Sequence, residues 1–131
     1  MNKAVRVLLV EDELVHVKLF ERNVKRFGAN LIVDVVDNGQ HALDYLATYA
    51  QKPAAENFAV LLDLNIPVLT GFQVLERMRK NPKMAKLPVI VLSTSDDPEE
   101  MARCKALGVE HFLVKPISYE LLMRILEAAP V

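Results

Sequence analysis

The chain has 131 residues, enough for one domain, taken here as residues 1–131, that buries a core without disulfide or metal staples. Its 16 Lys and Arg nearly balance 17 Asp and Glu, and a net charge of -1 supplies no bulk attraction for nucleic acid or an anionic membrane, so a partner has to be read by a local surface. Hydrophobic residues make up 52% and charged residues 25%, a globular balance, and no apolar run approaches the roughly 20 residues that span a bilayer.

The amino terminus, Met1 to Arg6, runs straight into a strand with no signal-peptide cleavage pattern, which reads as a cytoplasmic protein. Val5 to Val10 is β-rich and almost continuously apolar, as a central strand covered on both faces is, and it ends in three acids, Glu11, Asp12 and Glu13. Leu14, Val17, Leu19, Phe20, Val24 and Phe27 then recur at mainly helical spacing up to Gly28, a natural stop. Leu31 to Val36 is a second strand. Asn38-Gly39 opens a helix through Ala42, Leu43, Leu46 and Tyr49, and Gln51 to Asn57, with Pro53, is a polar loop. Phe58 to Leu62 is the third strand; it delivers Asp63 and is followed by a loop from Leu64 to Leu69 broken by Pro67.

Thr70-Gly71-Phe72-Gln73 has the capping-box form and starts a helix carrying Phe72, Val74, Leu75 and Met78, which Asn81-Pro82 ends. Leu87 to Leu92 is a fourth buried strand leading into Ser93-Thr94-Ser95. Asp97 as N-cap, Pro98 at the first helical position and Glu99-Glu100 in the first turn begin a helix that stops at Gly108. Cys104 lies on that helix as the sole cysteine, which excludes an internal disulfide or a cysteine-cluster metal site and reads as core filler. His111 to Val114 is a short fifth strand followed by Lys115-Pro116, and Ser118 caps a last helix with Leu121, Leu122, Ile125 and Leu126 on one face.

Five strands alternating with five helices predict an α/β fold, a parallel sheet with helices on both faces. Right-handed crossovers bring every strand's C-terminal end to one edge, the edge where open α/β sheets place their ligands. Glu11, Asp12, Asp63, Ser93 and Lys115 each follow one of those strands, so one cleft should collect them. Asp63 taken alone reads as a turn cap and Glu11-Asp12 as a solvated helix start. Their shared edge reverses both readings.

Three converging carboxylates raise one another's pKa unless a cation neutralises them, and a hard oxygen site with open water positions suits Mg²⁺. Asp12 and Asp63 are the expected direct ligands, with Glu11 acting through water and the Asn65 carbonyl completing the shell. A cis bond at Lys115-Pro116 would aim the ammonium into the cleft, and Ser93 adds a hydroxyl. A metal, an ammonium and a hydroxyl around one carboxylate make a receptacle for a phosphoryl group, with Asp63 as nucleophile forming an acyl phosphate.

These residues, Glu11-Asp12, Asp63-Leu64-Asn65-Ile66-Pro67 with the later Gly71, Ser93-Thr94 and Lys115-Pro116, resemble the receiver domain of two-component response regulators along essentially the whole chain. The resemblance implies a flavodoxin-like sheet of order 2-1-3-4-5. It also implies phosphotransfer from a sensor histidine kinase or phosphotransfer protein to Asp63, Mg²⁺ held by Glu11, Asp12, Asp63 and the Asn65 carbonyl, and Lys115 on the phosphoryl group. Ser93 takes the family's Ser/Thr switch position and Phe112 its aromatic one. Phe112 lacks the hydroxyl of the more usual Tyr. Such a protein is not an enzyme beyond its own phosphorylation and dephosphorylation. The wording around Asp63 and the polar loop before the third strand look like small stand-alone regulators associated with bacterial phytochromes.

With no further motif after Val131, the expected output is a protein contact that changes on phosphorylation. The expected route draws Ser93 and Thr94 inward and biases the face made by the fourth helix, fifth strand and fifth helix, with Met101, Lys105, Phe112, Ile117, Tyr119 and Met123 as residues of interest and a homodimer as one compatible use. A phosphorylation-independent interaction module is the alternative; a Mg²⁺-dependent phosphohydrolase lacks a second Asp close after Asp63. The three histidines, His16, His41 and His111, show no ligand spacing. His16 is the one near the acidic corner, and a surface position is expected for it.

Overall fold

The computed structural model describes residues 4–28, 30–49 and 57–127. Among them strands and helices alternate as β1 (Val5–Val10), α1 (Leu14–Arg26), β2 (Leu31–Val36), α2 (Gly39–Tyr49), β3 (Asn57–Asp63), α3 (Gly71–Lys80), β4 (Val89–Ser93), α4 (Pro98–Ala106), β5 (His111–Val114) and α5 (Tyr119–Glu127). All strand pairs are parallel and the order is β2-β1-β3-β4-β5, the doubly wound arrangement expected from the sequence.

The two-residue period of the strands divides the core into two layers. Val7 and Leu9 of β1, Leu61 of β3 and Leu92 of β4 pack with Val17 and Phe20 of α1 and Leu122 and Leu126 of α5. Leu8, Val10, Val60, Leu62 and Val91 face the other way, onto Ala42 and Leu46 of α2, Val74 and Met78 of α3 and Cys104 of α4. β3 is buried from Phe58 through Asp63. Each large apolar side chain on it contributes on the order of 1.5–3 kcal/mol by leaving water. That run of burial is what carries a carboxylate into the edge of the core.

Element boundaries differ from expectation at informative places. Asp63 and Ser93 are the last residues of β3 and β4 rather than the first beyond them, because Asp63 still pairs with Leu92 and Ser93 with Val114. β4 begins at Val89, not Leu87: Leu87 N–H donates to Met84 O at 3.1 Å, and Pro88 has no N–H and offers only its carbonyl, to Val60 N at 2.9 Å. The polar loop before β3 lies outside the described residues up to position 56, and Asn57 belongs to the strand.

Helix ends follow the expected chemistry. Thr70 Oγ1 accepts from Gln73 N–H at 3.2 Å and Gln73 Oε1 from Thr70 N–H at 2.9 Å, and Asp97 Oδ1 accepts from Glu99 N–H at 3.0 Å. Gly28, at φ 61°, follows the last turn of α1. The β3–α3 loop folds back on itself, with Gly71 N–H donating to Leu64 O at 2.9 Å. A side chain at Gly71 would meet Leu64 Cα at 2.5 Å and Asp63 O at 2.6 Å, so this glycine is what lets the loop close against the backbone carrying Asp63.

Near the middle of β2 a polar cluster joins β1, β2 and α2: Arg6 Nη1 lies 2.9 Å from Asp34 Oδ2, and the Tyr45 hydroxyl donates to the same oxygen at 2.5 Å. Burial, then the hydrogen bond to Asp34, pushes the Tyr45 phenol up to about 12.

Gly71→Ala should lower unfolding free energy by about 2 kcal/mol or more, because the neighbours it strikes are backbone. Gly28→Ala, which meets nothing within 4 Å, should cost only about 1 kcal/mol from its positive φ; paired urea titrations read the difference. For Tyr45, the folded state holds its proton more tightly than the unfolded chain. Its contribution is therefore complete below about pH 10 and is lost as pH rises toward 12. Tyr45→Phe should remove that part of the alkaline decline in a denaturation series between those pH values.

Candidate functional site

Sheet topology brings the ends of β1, β3, β4 and β5 to one edge, and a single ammonium joins two carboxylates there. Lys115, directly after β5, places Nζ 2.6 Å from Glu11 Oε1 and 2.7 Å from Asp63 Oδ2. It reaches there from a cis Lys115-Pro116 peptide, with its own N–H donating to Ser93 O at 2.6 Å. Glu11 is buried, with its second oxygen, Oε2, accepting from Glu13 N–H at 3.3 Å at the start of α1. Asp63 uses its other oxygen, Oδ1, to accept from Asn65 N–H at 2.8 Å. Each carboxylate is thus held by one main-chain donor and one shared cation.

The electrostatics follow from that sharing. Burial alone would lower the Lys115 pKa, but hydrogen bonds to Asp63 and Glu11 outweigh it and hold the ammonium above its ordinary value. Asp63 moves above the usual carboxylate range: burial raises it, the Lys115 and Asn65 hydrogen bonds pull it back only in part, and the neighbouring Glu11 charge adds to the rise. Two carboxylates and one ammonium leave a net negative site that favours a further cation.

The expected residues divide by position. Glu11, Asp63, Lys115 and Ser93 are brought to one edge. Ser93 is 1% exposed and accepts from Ser95 N–H at 3.1 Å through Oγ, which leaves its hydroxyl proton free to donate. Asp12 is exposed, and Asn65 engages Asp63 through its amide N–H. Phe112 is half-buried against the layer containing Val91 and Cys104. Of the residues of interest on the α4–β5–α5 face, Met101 and Lys105 are exposed, whereas Met123 is core and Ile117 and Tyr119 pack against the α1–α5 layer.

His16 departs from the surface position expected of it. Its Nδ1 lies 3.0 Å from Lys115 Nζ and 3.4 Å from Glu11 Oε1. The signal in the sequence was its place in the first turn of a helix that begins at the acidic corner. Donor atoms of Glu11, His16 and Asp63 all lie within 4.8 Å of one another. Beside them a cavity of about 380 Å³ opens between α1 and α5, lined by Leu9, Phe20, Leu92, Ile117 and Tyr119. A larger hollow of about 770 Å³ lies at the opposite edge of the sheet, among Ala59, Pro88, Leu107 and His111. Of the guanidinium groups there, that of Arg79 is taken up by the carbonyls of Leu107, Ala85 and Leu87 at 2.7, 2.9 and 3.0 Å. The convergent carboxylates, not the larger volume, mark the candidate site.

Comparison with known proteins gives a consistent picture. The family described as response regulator receiver domain matches residues 7–127. A probable methanogenesis regulatory protein, FilR2 of Methanothrix harundinacea, is 34% identical over 121 residues, which cover 92% of this chain and 78% of that protein. The solved response regulator receiver domain from Rhodospirillum rubrum superposes with a TM-score of 0.76 at 34% identity, covering 93% of this chain and 88% of the other. The phosphorylated cyanobacterial phytochrome response regulator RcpA superposes with a TM-score of 0.76 at 28% identity, covering 97% and 90%. No helix among the described residues is long and apolar enough to cross a membrane.

Removing the shared cation should be costly. Lys115→Met leaves Glu11 and Asp63 facing each other at the edge of the core and should destabilise the fold by about 3 kcal/mol at neutral pH. Adding Mg²⁺ should restore more stability to that variant than to wild type, since a second cation replaces the lost one; urea titrations with and without the metal decide it.

Proposed function

The chain belongs to the response regulator receiver family, and from that premise we propose that Asp63 accepts a phosphoryl group from the phosphohistidine of a sensor histidine kinase or phosphotransfer protein. The observation that carries the reading is the Lys115 ammonium bridging Asp63 and Glu11 at 2.7 and 2.6 Å, at the sheet edge where four strands end. In this reaction an Asp63 carboxylate oxygen attacks phosphorus, the P–O bond forms as the P–N bond breaks, and the departing imidazole takes a proton from solvent. Asp63 is suited to the attack because both its oxygens are already oriented, one by Asn65 N–H and one by Lys115. As the phosphoryl group arrives, Lys115 exchanges its contact with Asp63 for one with a phosphoryl oxygen while Glu11 retains it.

The donor set fits Mg²⁺: Glu11 and Asp63 offer buried, hard oxygen atoms at the sheet edge, with Asp12 exposed beside them and Asn65 two residues past Asp63. Glu11, Asp12, Asp63 and the Asn65 carbonyl would hold the ion. When bound, the ion neutralises charge on the phosphoryl oxygens, which a carboxylate nucleophile needs.

The response starts at Ser93. Its hydroxyl proton is free, and its carbonyl is tied to Lys115 N–H, so a dianion at Asp63 recruits the Ser93 hydroxyl and moves the loop that leads to α4. Phe112 packs on the same layer as Cys104 of α4 and follows that movement. The readout is a protein contact at the α4–β5–α5 face, where Met101 and Leu121 are exposed apolar side chains; docking of a partner and a homodimer are its two uses.

Intact mass after incubation with acetyl phosphate tests the acceptor. Wild type should gain one phosphoryl group only when Mg²⁺ is present, and Asp63→Asn should gain none. A folded wild type that gains nothing would instead make the chain an interaction module independent of phosphorylation.

A further inference from the structure

His16 contributes nothing to the phosphotransfer chemistry set out above, yet it touches the ammonium at its centre. A lysine ammonium has three N–H donors and no acceptor. Around Lys115 Nζ stand three acceptors: Glu11 Oε1 at 2.6 Å, Asp63 Oδ2 at 2.7 Å and His16 Nδ1 at 3.0 Å. Because Lys115 can only donate, Nδ1 must carry the lone pair, which puts the ring proton on Nε2. That nitrogen faces Glu13 Oε2 at 3.5 Å; Nδ1 is also 3.4 Å from Glu11 Oε1, but the shorter contact it makes, 3.0 Å, is to the ammonium, which can only donate. The ring is half-buried on α1, with the core residue Val17 next to it in sequence, so the helix fixes where Nδ1 stands.

We propose that His16 is a positioning residue for Lys115, holding one ammonium donor so that the charge stays aimed at Asp63 during phosphoryl transfer. The inference rests on Asp63 being the acceptor. When Lys115 exchanges Asp63 Oδ2 for a phosphoryl oxygen, Glu11 alone would leave a flexible four-carbon chain free to swing about a single contact. Glu11 and His16 together leave two contacts in place, and the third donor is pointed at the incoming oxygens. Glu11, His16 and Asp63 also suggest a metal triad by their mutual distances, but the point they share is occupied by Lys115 Nζ, at 2.6 to 3.0 Å from all three. The three converge on the lysine.

His16→Leu removes the acceptor, and His16→Asn returns an oxygen near the position of Nδ1. Three readouts are compared: phosphorylation rate by acetyl phosphate at saturating Mg²⁺, Mg²⁺ dissociation constant by calorimetry, and the ¹H–¹⁵N NMR signal of the Lys115 ammonium. His16→Leu should slow phosphorylation by about ten-fold, the equivalent of one weak charge-assisted hydrogen bond. It should leave Mg²⁺ affinity unchanged and shift or broaden the ammonium signal, and His16→Asn should recover most of both losses. A wild-type rate or an unaltered ammonium signal in His16→Leu overturns the assignment, as does a loss of Mg²⁺ affinity that parallels the loss of rate. If wild type takes no phosphoryl group, the proposed function fails, and the ammonium signal still decides whether His16 holds Lys115.

Discussion

One ammonium shared by two carboxylates is the interaction on which the functional edge of this molecule depends. Lys115 is 104 residues from Glu11 and 52 from Asp63 along the chain, and only the parallel sheet brings them within hydrogen-bond distance. Charges this far out of water are costly unless paired and hydrogen-bonded. Here each partner has a second, main-chain contact: Glu13 N–H for Glu11, Asn65 N–H for Asp63, and Ser93 O for the Lys115 backbone. The arrangement is stable enough to exist in the fold and unbalanced enough, at two negative charges to one positive, to call for a further cation.

The apolar layers make that arrangement possible. β1 and β3 are buried on both faces, so neither strand has freedom to rotate away the carboxylate it carries, Glu11 just past the end of β1 and Asp63 at the end of β3. The loop after β3 is held shut by Gly71 against the backbone of Asp63 and Leu64, and Gly39 at the start of α2 brings that helix against Leu69 of the same loop, since a side chain there would meet Leu69 O at 2.5 Å. A close backbone approach on one side and core packing on the other hold Asp63 still. The adaptable parts lie toward β4 and β5: β5 is only half-buried, and the segment after Ser93 is exposed from Thr94 through Glu99 apart from Ser95.

Much of this was readable in the residues. A carboxylate after an apolar strand means little by itself, but Glu11, Asp63, Ser93 and Lys115 each stand at the end of such a strand, and parallel topology sends all strand ends to one edge. What pattern reading missed had particular causes. His16 looked like a surface residue because helical periodicity says which face a side chain takes, not what the strand across the sheet will place opposite it. Met123, of interest on the α4–β5–α5 face, is core instead, its burial set by how α5 leans on β1 and β4. Asp12 and Glu11 are adjacent in sequence and alike in chemistry, yet one is exposed and the other buried, because successive positions at a strand end point to opposite sides.

Local signals were therefore sufficient for the element order, the helix caps at Thr70 and Asp97, the parallel α/β class and the set of polar strand ends that meet at one edge. Each of these follows from period, capping and connection length, which act over a few residues. Tertiary structure alone decided which acid turns inward, that His16 joins Lys115, and how one ammonium is divided between two carboxylates. Those outcomes depend on distances between segments far apart in the chain, and such distances exist only once the sheet has paired and its two apolar layers have closed.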